Sequence, residues 1–142
     1  MQKIPYYPLD RINAVYGDAF TTAFSSVLQS GWFIRGKENL AFEQNFASFC
    51  GAKHCVGVGN GLEALSLILK AYIALGVLKK NDKVIVPATT FVATWLAVRA
   101  AGLEPLPAEV SESDSLLTRE GVLSVWNSEV KAVIAVHLYG KL

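Results

Sequence analysis

The turn Gly59-Asn60-Gly61 is the first of three short segments whose residue types could bind a ligand. It follows an apolar stretch that predicts a buried strand, and it precedes a periodic pattern that predicts a helix. Glycines allow a backbone to approach a ligand closely, and the amino end of a helix carries partial positive charge. These properties favour a bound anion, most plausibly a phosphate. For the glycine pattern alone, a tight strand-to-helix turn without any ligand is the alternative.

Two familiar nucleotide-binding motifs do not fit this turn. A P-loop requires lysine followed by serine or threonine after its second glycine, and this chain has Leu62 and Glu63 there. The dinucleotide fingerprint requires a third glycine, which counted from Gly59 falls on Ala64. The pattern therefore excludes both classes while leaving a phosphate site open.

The other two segments lie where predicted strands end. Thr89, Thr90 and Phe91 follow the apolar run 84–86, and His137 closes another apolar run. Ligands of open α/β sheets bind at the carboxyl ends of the strands. Phe91 could stack there on a planar aromatic cofactor, or it could be a core phenylalanine. The threonines could cap the next helix, and His137 could be purely structural.

The hydrophobic pattern also predicts the elements that must position these segments. Helices are predicted over residues 10–30, 38–50, 62–75, 90–101 and 120–126, and strands over 53–58, 83–86, 103–108 and 131–137. Because continuously apolar strands alternate with helices, the fold class is α/β, with a mostly parallel sheet covered by helices on both faces. Two prolines in the third predicted strand suit an edge position.

Composition limits the possible partners. The 142 residues are 52% hydrophobic and 18% charged, with a net charge of +1. This apolar surplus predicts that further sequence or a partner chain covers part of the surface. No apolar run approaches the roughly 20 residues of a membrane span, and the first residues carry no signal-peptide pattern. We therefore predict a cytoplasmic protein that binds neither membranes nor nucleic acid, since no basic stripe is present.

The two cysteines, Cys50 and Cys55, do not have the spacing of a redox or zinc motif. Free cysteine packs as a small hydrophobic residue. We predict two buried thiols and no metal site.

In order and spacing, the segments 31–37, 42–43, 59–65, 86–94 and 136–140 resemble those of the DegT/DnrJ/EryC1/StrS aminotransferases. These are fold-type-I, pyridoxal-phosphate-dependent enzymes that aminate nucleotide-linked keto-sugars. The resemblance implies that residues 1–36 form an N-terminal helix and active-site loop, and that 37–142 form part of the PLP-binding large domain. The Asn-Gly-Leu-Glu-Ala-Leu form is most similar to members that act on dTDP-3-keto-6-deoxyhexoses.

The resemblance also assigns site residues. Those implied to bind pyridoxal 5′-phosphate (PLP) are Asn60, Gly61, Leu62, Glu63 and Phe91. Backbone N–H groups of Leu62 and Glu63 would hold the phosphate, and the ring of Phe91 would stack on the pyridine. Many relatives have threonine where Leu62 stands, so one hydroxyl contact is expected to be missing. Trp32 and Phe33 fall in a loop implied to lie near the nucleotide-sugar substrate.

The same resemblance implies which groups lie outside the chain. The family's chemistry needs a Schiff-base lysine and an acid paired with the pyridine nitrogen. In relatives both follow the His-Leu-Tyr-Gly motif, so they are expected beyond Leu142. We therefore expect no catalytic residue in this chain, which alone would be inactive, and a homodimeric whole enzyme that takes its amino group from glutamate. The alternatives are a short homologue that binds or regulates another protein, and part of a PLP-dependent sugar dehydratase.

Overall fold

A computed structural model describes residues 4–141, which form two compact units that divide between Gly57 and Val58. The elements in chain order are α1 (Leu9–Ser30), α2 (Lys37–Phe49), α3 (Gly61–Ala74), β1 (Lys83–Pro87), α4 (Val92–Ala100), β2 (Glu104–Ala108), α5 (Arg119–Val125), β3 (Val130–Val133) and a 3-10 turn (Leu138–Gly140). All five predicted helices are present, with ends within two residues of those predicted. The division between Gly57 and Val58 reflects compactness and does not coincide with the functional boundary predicted after Gly36, which stays a prediction.

The N-terminal unit contains α1 and α2. Helix α1 begins after Pro8, with Asp10 in its first turn, and it is followed by Gly31 in the left-handed conformation (φ 63°). None of the residues of α1 is buried, and α2 buries only Ala47. Much of the apolar surplus therefore lies on the surface of this unit. Within residues 4–141, no helix combines the length and apolar character that a membrane span requires.

The second unit is built on a three-stranded parallel sheet of order β2-β1-β3. The central strand β1 has Val84, Ile85 and Val86 completely buried. Strand β2, with its two prolines, lies at an edge as predicted. Proline lacks the N–H group that a second neighbouring strand would require, which explains this placement.

Alternate residues of β1 point to opposite faces of the sheet, and both faces are covered by helices. Val84 and Val86 belong to a core cluster with Leu69, Leu78, Val98 and Leu103. Ile85 belongs to a second cluster with Ala108 and Val130, against which Val122 and Val125 of α5 pack. The predicted doubly covered parallel sheet is confirmed.

The predicted strand over 53–58 is wrong. This segment is not paired with any strand among the described residues, and Val56 is 76% exposed. A strand needs a neighbour to satisfy its N–H and C=O groups, and an apolar run does not reveal whether one exists. Strand β3 is also shorter than predicted, since its register with β1 ends at Val133.

The prediction of two buried thiols is also wrong. Cys50 is exposed because it lies at the carboxyl end of α2 rather than on a packed face. Cys55 is only half-buried, because its segment does not form part of a sheet.

The replacement Gly121→Ala should destabilise the second unit. A Cβ atom at Gly121 would overlap the carbonyl oxygen of Glu109, which is backbone and cannot rotate away. We expect a loss of about 1–3 kcal/mol in the free energy of unfolding, measured by urea denaturation. The matched control is Gly61→Ala, where a Cβ meets no atom within 4 Å. Alanine there should be neutral or raise stability by up to about 1 kcal/mol, and equal losses at both positions would contradict the packing.

Candidate cofactor site

Two side chains at the start of α3 accept hydrogen bonds from backbone N–H groups of the turn. The Oδ1 of Asn60, the N-cap residue, accepts a hydrogen bond from the N–H of Glu63 at 3.0 Å. The carboxylate of Glu63 reaches back and accepts from the N–H of Gly59 at 2.9 Å. This arrangement is a variant of the capping box, and it holds the turn in shape without any ligand.

Two N–H groups in the first turn of α3 are left for a ligand. The first turn of a helix has no intrahelical acceptors for its N–H groups. The N–H of Glu63 is bonded to Asn60, and that of Ala64 donates to the Asn60 carbonyl at 3.1 Å. Within residues 4–141, no group accepts from the N–H of Gly61 or Leu62. These two N–H groups lie at the positive end of the helix, and they suit a phosphate.

The two glycines of the turn have different roles. A Cβ at Gly59 would lie 2.8 Å from Oε2 of Glu63, so glycine at 59 makes room for the capping carboxylate. A Cβ at Gly61 would meet no atom within 4 Å, and Gly61 does not have a positive φ. Neither internal packing nor backbone strain therefore demands glycine at 61. The open space beside it fits the approach of a phosphate to the adjacent N–H groups.

Phe91 lies beyond the carboxyl end of β1 and is 73% exposed, so its interpretation as a core residue is wrong. It is the N-cap residue of α4, which explains why that helix begins two residues later than predicted. An exposed aromatic ring at this edge of the sheet is available for stacking on a planar group. Nearby, the hydroxyls of Thr90 and Thr94 lie 3.1 Å apart, and Thr94 is buried.

The third segment ends at the same edge, because β3 runs parallel to β1. His137 Nδ1 lies 3.1 Å from the carbonyl oxygen of Lys141, so one ring nitrogen serves the local loop. Tyr139 has a left-handed backbone (φ 56°) and is 94% exposed. These contacts favour the structural interpretation of His137.

Trp32 and Phe33 lie in the loop of the N-terminal unit and share one pocket of about 320 Å³. The Trp32 indole N–H donates to the carbonyl of Ile34 at 2.7 Å, and Arg35 adopts a left-handed backbone (φ 50°). A Cβ at Gly36 would lie 3.0 Å from the Trp32 carbonyl oxygen, so the loop is tightly folded. Both aromatic rings are 65% exposed and can contact a ligand.

Residues 15–142 match the family model of the DegT/DnrJ/EryC1/StrS aminotransferases. The chain belongs to this family. The resemblance stated from the motifs is therefore confirmed.

The proteins similar to this chain include both aminotransferases and a dehydratase. The chain is 43% identical, over 97% of its length, to dTDP-3-amino-3,6-dideoxy-alpha-D-galactopyranose transaminase of Aneurinibacillus thermoaerophilus, and it spans 37% of that protein. S. venezuelae DesV, solved in complex with a ketimine intermediate, superposes with a TM-score of 0.89 at 34% identity, over 100% of this chain and 37% of that one. The E. coli GDP-4-keto-6-deoxy-D-mannose-3-dehydratase with bound hydrated PLP superposes with a TM-score of 0.77 at 29% identity, over 84% of this chain and 32% of that one. The chain therefore spans about a third of the length of these proteins, between 32% and 37%.

Sequence reasoning did not identify the role of Glu43 in the family's Phe-Glu segment. Its Oε1 accepts from the N–H of Gly57 at 2.8 Å, fourteen residues away. A Cβ at Gly57 would lie 3.2 Å from Asn39 and 3.3 Å from Glu43, so glycine permits this approach. The Gly57 N–H, followed by Asn39 and the charge of Arg35, lowers the pKa of Glu43 below 4.5. An acid in this segment of α2 was the only signal in the sequence.

We predict that Glu43→Gln alters the acid stability of the N-terminal unit. A carboxylate with a lowered pKa contributes stability above its unfolded pKa, and loses it as the pH falls through the folded value. The wild type should therefore lose stability below pH 4.5 more steeply than Glu43→Gln, which cannot titrate there. Urea unfolding at several pH values measures the difference. Parallel pH profiles of the free energy of unfolding for the two proteins would show that the carboxylate does not contribute to this pH dependence.

Proposed function

We propose that the whole protein containing this chain is a PLP-dependent aminotransferase that transfers an amino group from glutamate to a nucleotide-linked keto-sugar. The finer assignment is a dTDP-3-keto-6-deoxyhexose, aminated at the 3-position. The observation that carries this proposal is the 43% identity to a dTDP-3-amino-sugar transaminase over nearly the whole chain. We further propose that a second copy of the protein covers the exposed apolar residues of α1.

The residues of the turn suit the phosphate of PLP. Gly61 and Leu62 would donate their N–H groups to it, while Asn60 and Glu63 hold the turn in shape. This proposal differs from the expectation from the family, which assigned the phosphate to the N–H groups of Leu62 and Glu63, because the Glu63 N–H is bonded to Asn60. When bound, PLP supplies the electron sink that amino transfer requires. The chain's own contribution is to bind and orient that group.

The exposed aromatic rings would complete the binding surfaces. Phe91 follows β1 at the edge of the sheet where ligands of α/β proteins bind, and its exposed ring would stack on the pyridine. Trp32 and Phe33 would contact the nucleotide-sugar, since their rings line one pocket and remain exposed.

A sugar dehydratase is the second candidate, and it is favoured by the similarity to the E. coli GDP-4-keto-6-deoxy-D-mannose-3-dehydratase. The identity to that enzyme is 29%, against 43% to the transaminase. We therefore place the transaminase first.

The decisive experiment uses the complete polypeptide that the gene encodes. After reconstitution with PLP, it should convert a dTDP-linked 3-keto-6-deoxyhexose and glutamate into an amino sugar and 2-oxoglutarate in equal amounts. Mass spectrometry of the nucleotide-sugar distinguishes the candidates. Gain of nitrogen supports the transaminase, loss of a hydroxyl without nitrogen supports the dehydratase, and no conversion of any nucleotide keto-sugar contradicts both.

Phe91→Ala should weaken binding of the cofactor without destabilising the fold. Pyridoxamine 5′-phosphate is the suitable probe, because it forms no covalent link to a lysine. Loss of an aromatic stack should raise its dissociation constant roughly three- to tenfold. The free energy of unfolding should change by less than about 0.5 kcal/mol, since the side chain is already exposed.

Phe49→Ala is the matched control for this prediction. Phe49 is 87% exposed at the end of α2, outside the proposed cofactor surface. Equilibrium dialysis should give it the affinity of the wild type. Equal affinities for Phe91→Ala and Phe49→Ala would remove Phe91 from the cofactor site.

A further inference from the structure

The carboxylate of Glu63 places a negative charge on the same turn that is proposed to hold a phosphate. It accepts from the N–H of Gly59 at 2.9 Å, and the absence of a Cβ at Gly59 makes that approach possible. The charge is therefore held at the amino end of α3 by a specific contact. An inference from this placement rests on the proposed function, because it concerns the same cofactor turn.

Two anions would share one helix end. The partial positive charge of a helix falls off within its first turn, so the carboxylate and a bound phosphate would share the same region of positive potential. Glu63 takes the N–H of Gly59, and Asn60 takes that of Glu63. Of the N–H groups in the first turn of α3, those of Gly61 and Leu62 would remain for the phosphate, which would lie near a like charge.

We propose that Glu63 is a positioning residue that keeps the cofactor phosphate away from the N–H of Gly59 and weakens its binding by charge repulsion. The hydrogen bonds of the cap and the charge of the carboxylate have opposite effects. The bonds preorganise the two donors, while the charge opposes the anion. A neutral side chain that keeps the bond therefore binds phosphate more tightly than glutamate does.

A charge series at constant hydrogen bonding tests this proposal. Glu63→Gln removes the charge and retains an oxygen that can accept from Gly59. Asn60→Asp adds a charge and retains the acceptor for the Glu63 N–H. The complete polypeptide is titrated with pyridoxamine 5′-phosphate and separately with inorganic phosphate, by calorimetry at low and high salt. Glu63→Ala, which loses both bond and charge, is the structural control.

We expect Glu63→Gln to bind both probes roughly three- to tenfold more tightly than the wild type, and Asn60→Asp to bind them more weakly by a similar factor. These differences should shrink in high salt, because the charges are exposed and screened. Unfolding by urea should distinguish the bond from the charge, since Glu63→Ala should be less stable than Glu63→Gln.

Equal or weaker binding by Glu63→Gln, with unchanged unfolding, would overturn the proposal. If one variant does not fold, comparison of the other with the wild type decides. If the wild type transaminates and binds the probe, but the variants bind it with the same affinity, this inference alone is refuted. A wild type that binds neither probe refutes the cofactor assignment, and the inference with it.

Discussion

The burial of β1 between two parallel neighbours is the constraint on which the rest of the second unit depends. Val84, Ile85 and Val86 have no polar face to offer to solvent, so helices must cover both sides of the sheet. Parallel pairing also places the carboxyl ends of β1 and β3 at one edge. The exposed Phe91 lies at that edge because it follows the end of β1. The packing of the core and the position of the candidate site therefore have the same origin.

The turn before α3 illustrates how a binding surface can be prepared by local chemistry. The side chains of Asn60 and Glu63 accept from the N–H groups of Glu63 and Gly59, and those of Gly61 and Leu62 in the first turn of α3 are left for a ligand. Preorganised donors lose little freedom when an anion arrives, so affinity depends on geometry as well as charge. Leucine has no hydroxyl group, so position 62 can offer an anion only its backbone N–H.

Local patterns predicted the helices and the parallel sheet, because periodicity and capping act within a few residues. The segment 53–58 was misassigned because pairing depends on a neighbour that the pattern cannot reveal. The same limit explains why the contact of Glu43 with Gly57 was not identified, since it joins residues fourteen positions apart. Gly59 was expected to admit a ligand, whereas its nearest neighbour is the Glu63 carboxylate. Motif spacing located the turn, whereas the different roles of its two glycines follow from their contacts in the folded chain.

The N-terminal unit has a different energetic basis from the sheet. Helix α1 has 22 residues and buries none of them, although its apolar residues recur at helical spacing. Most helices in proteins are stabilised by packing an apolar face rather than by intrinsic propensity. Phe20 and Phe24 are 59% and 65% exposed, so the described residues do not supply that packing. The stability of α1 should therefore depend on a surface that covers these rings, and the proposed second copy of the protein would provide one.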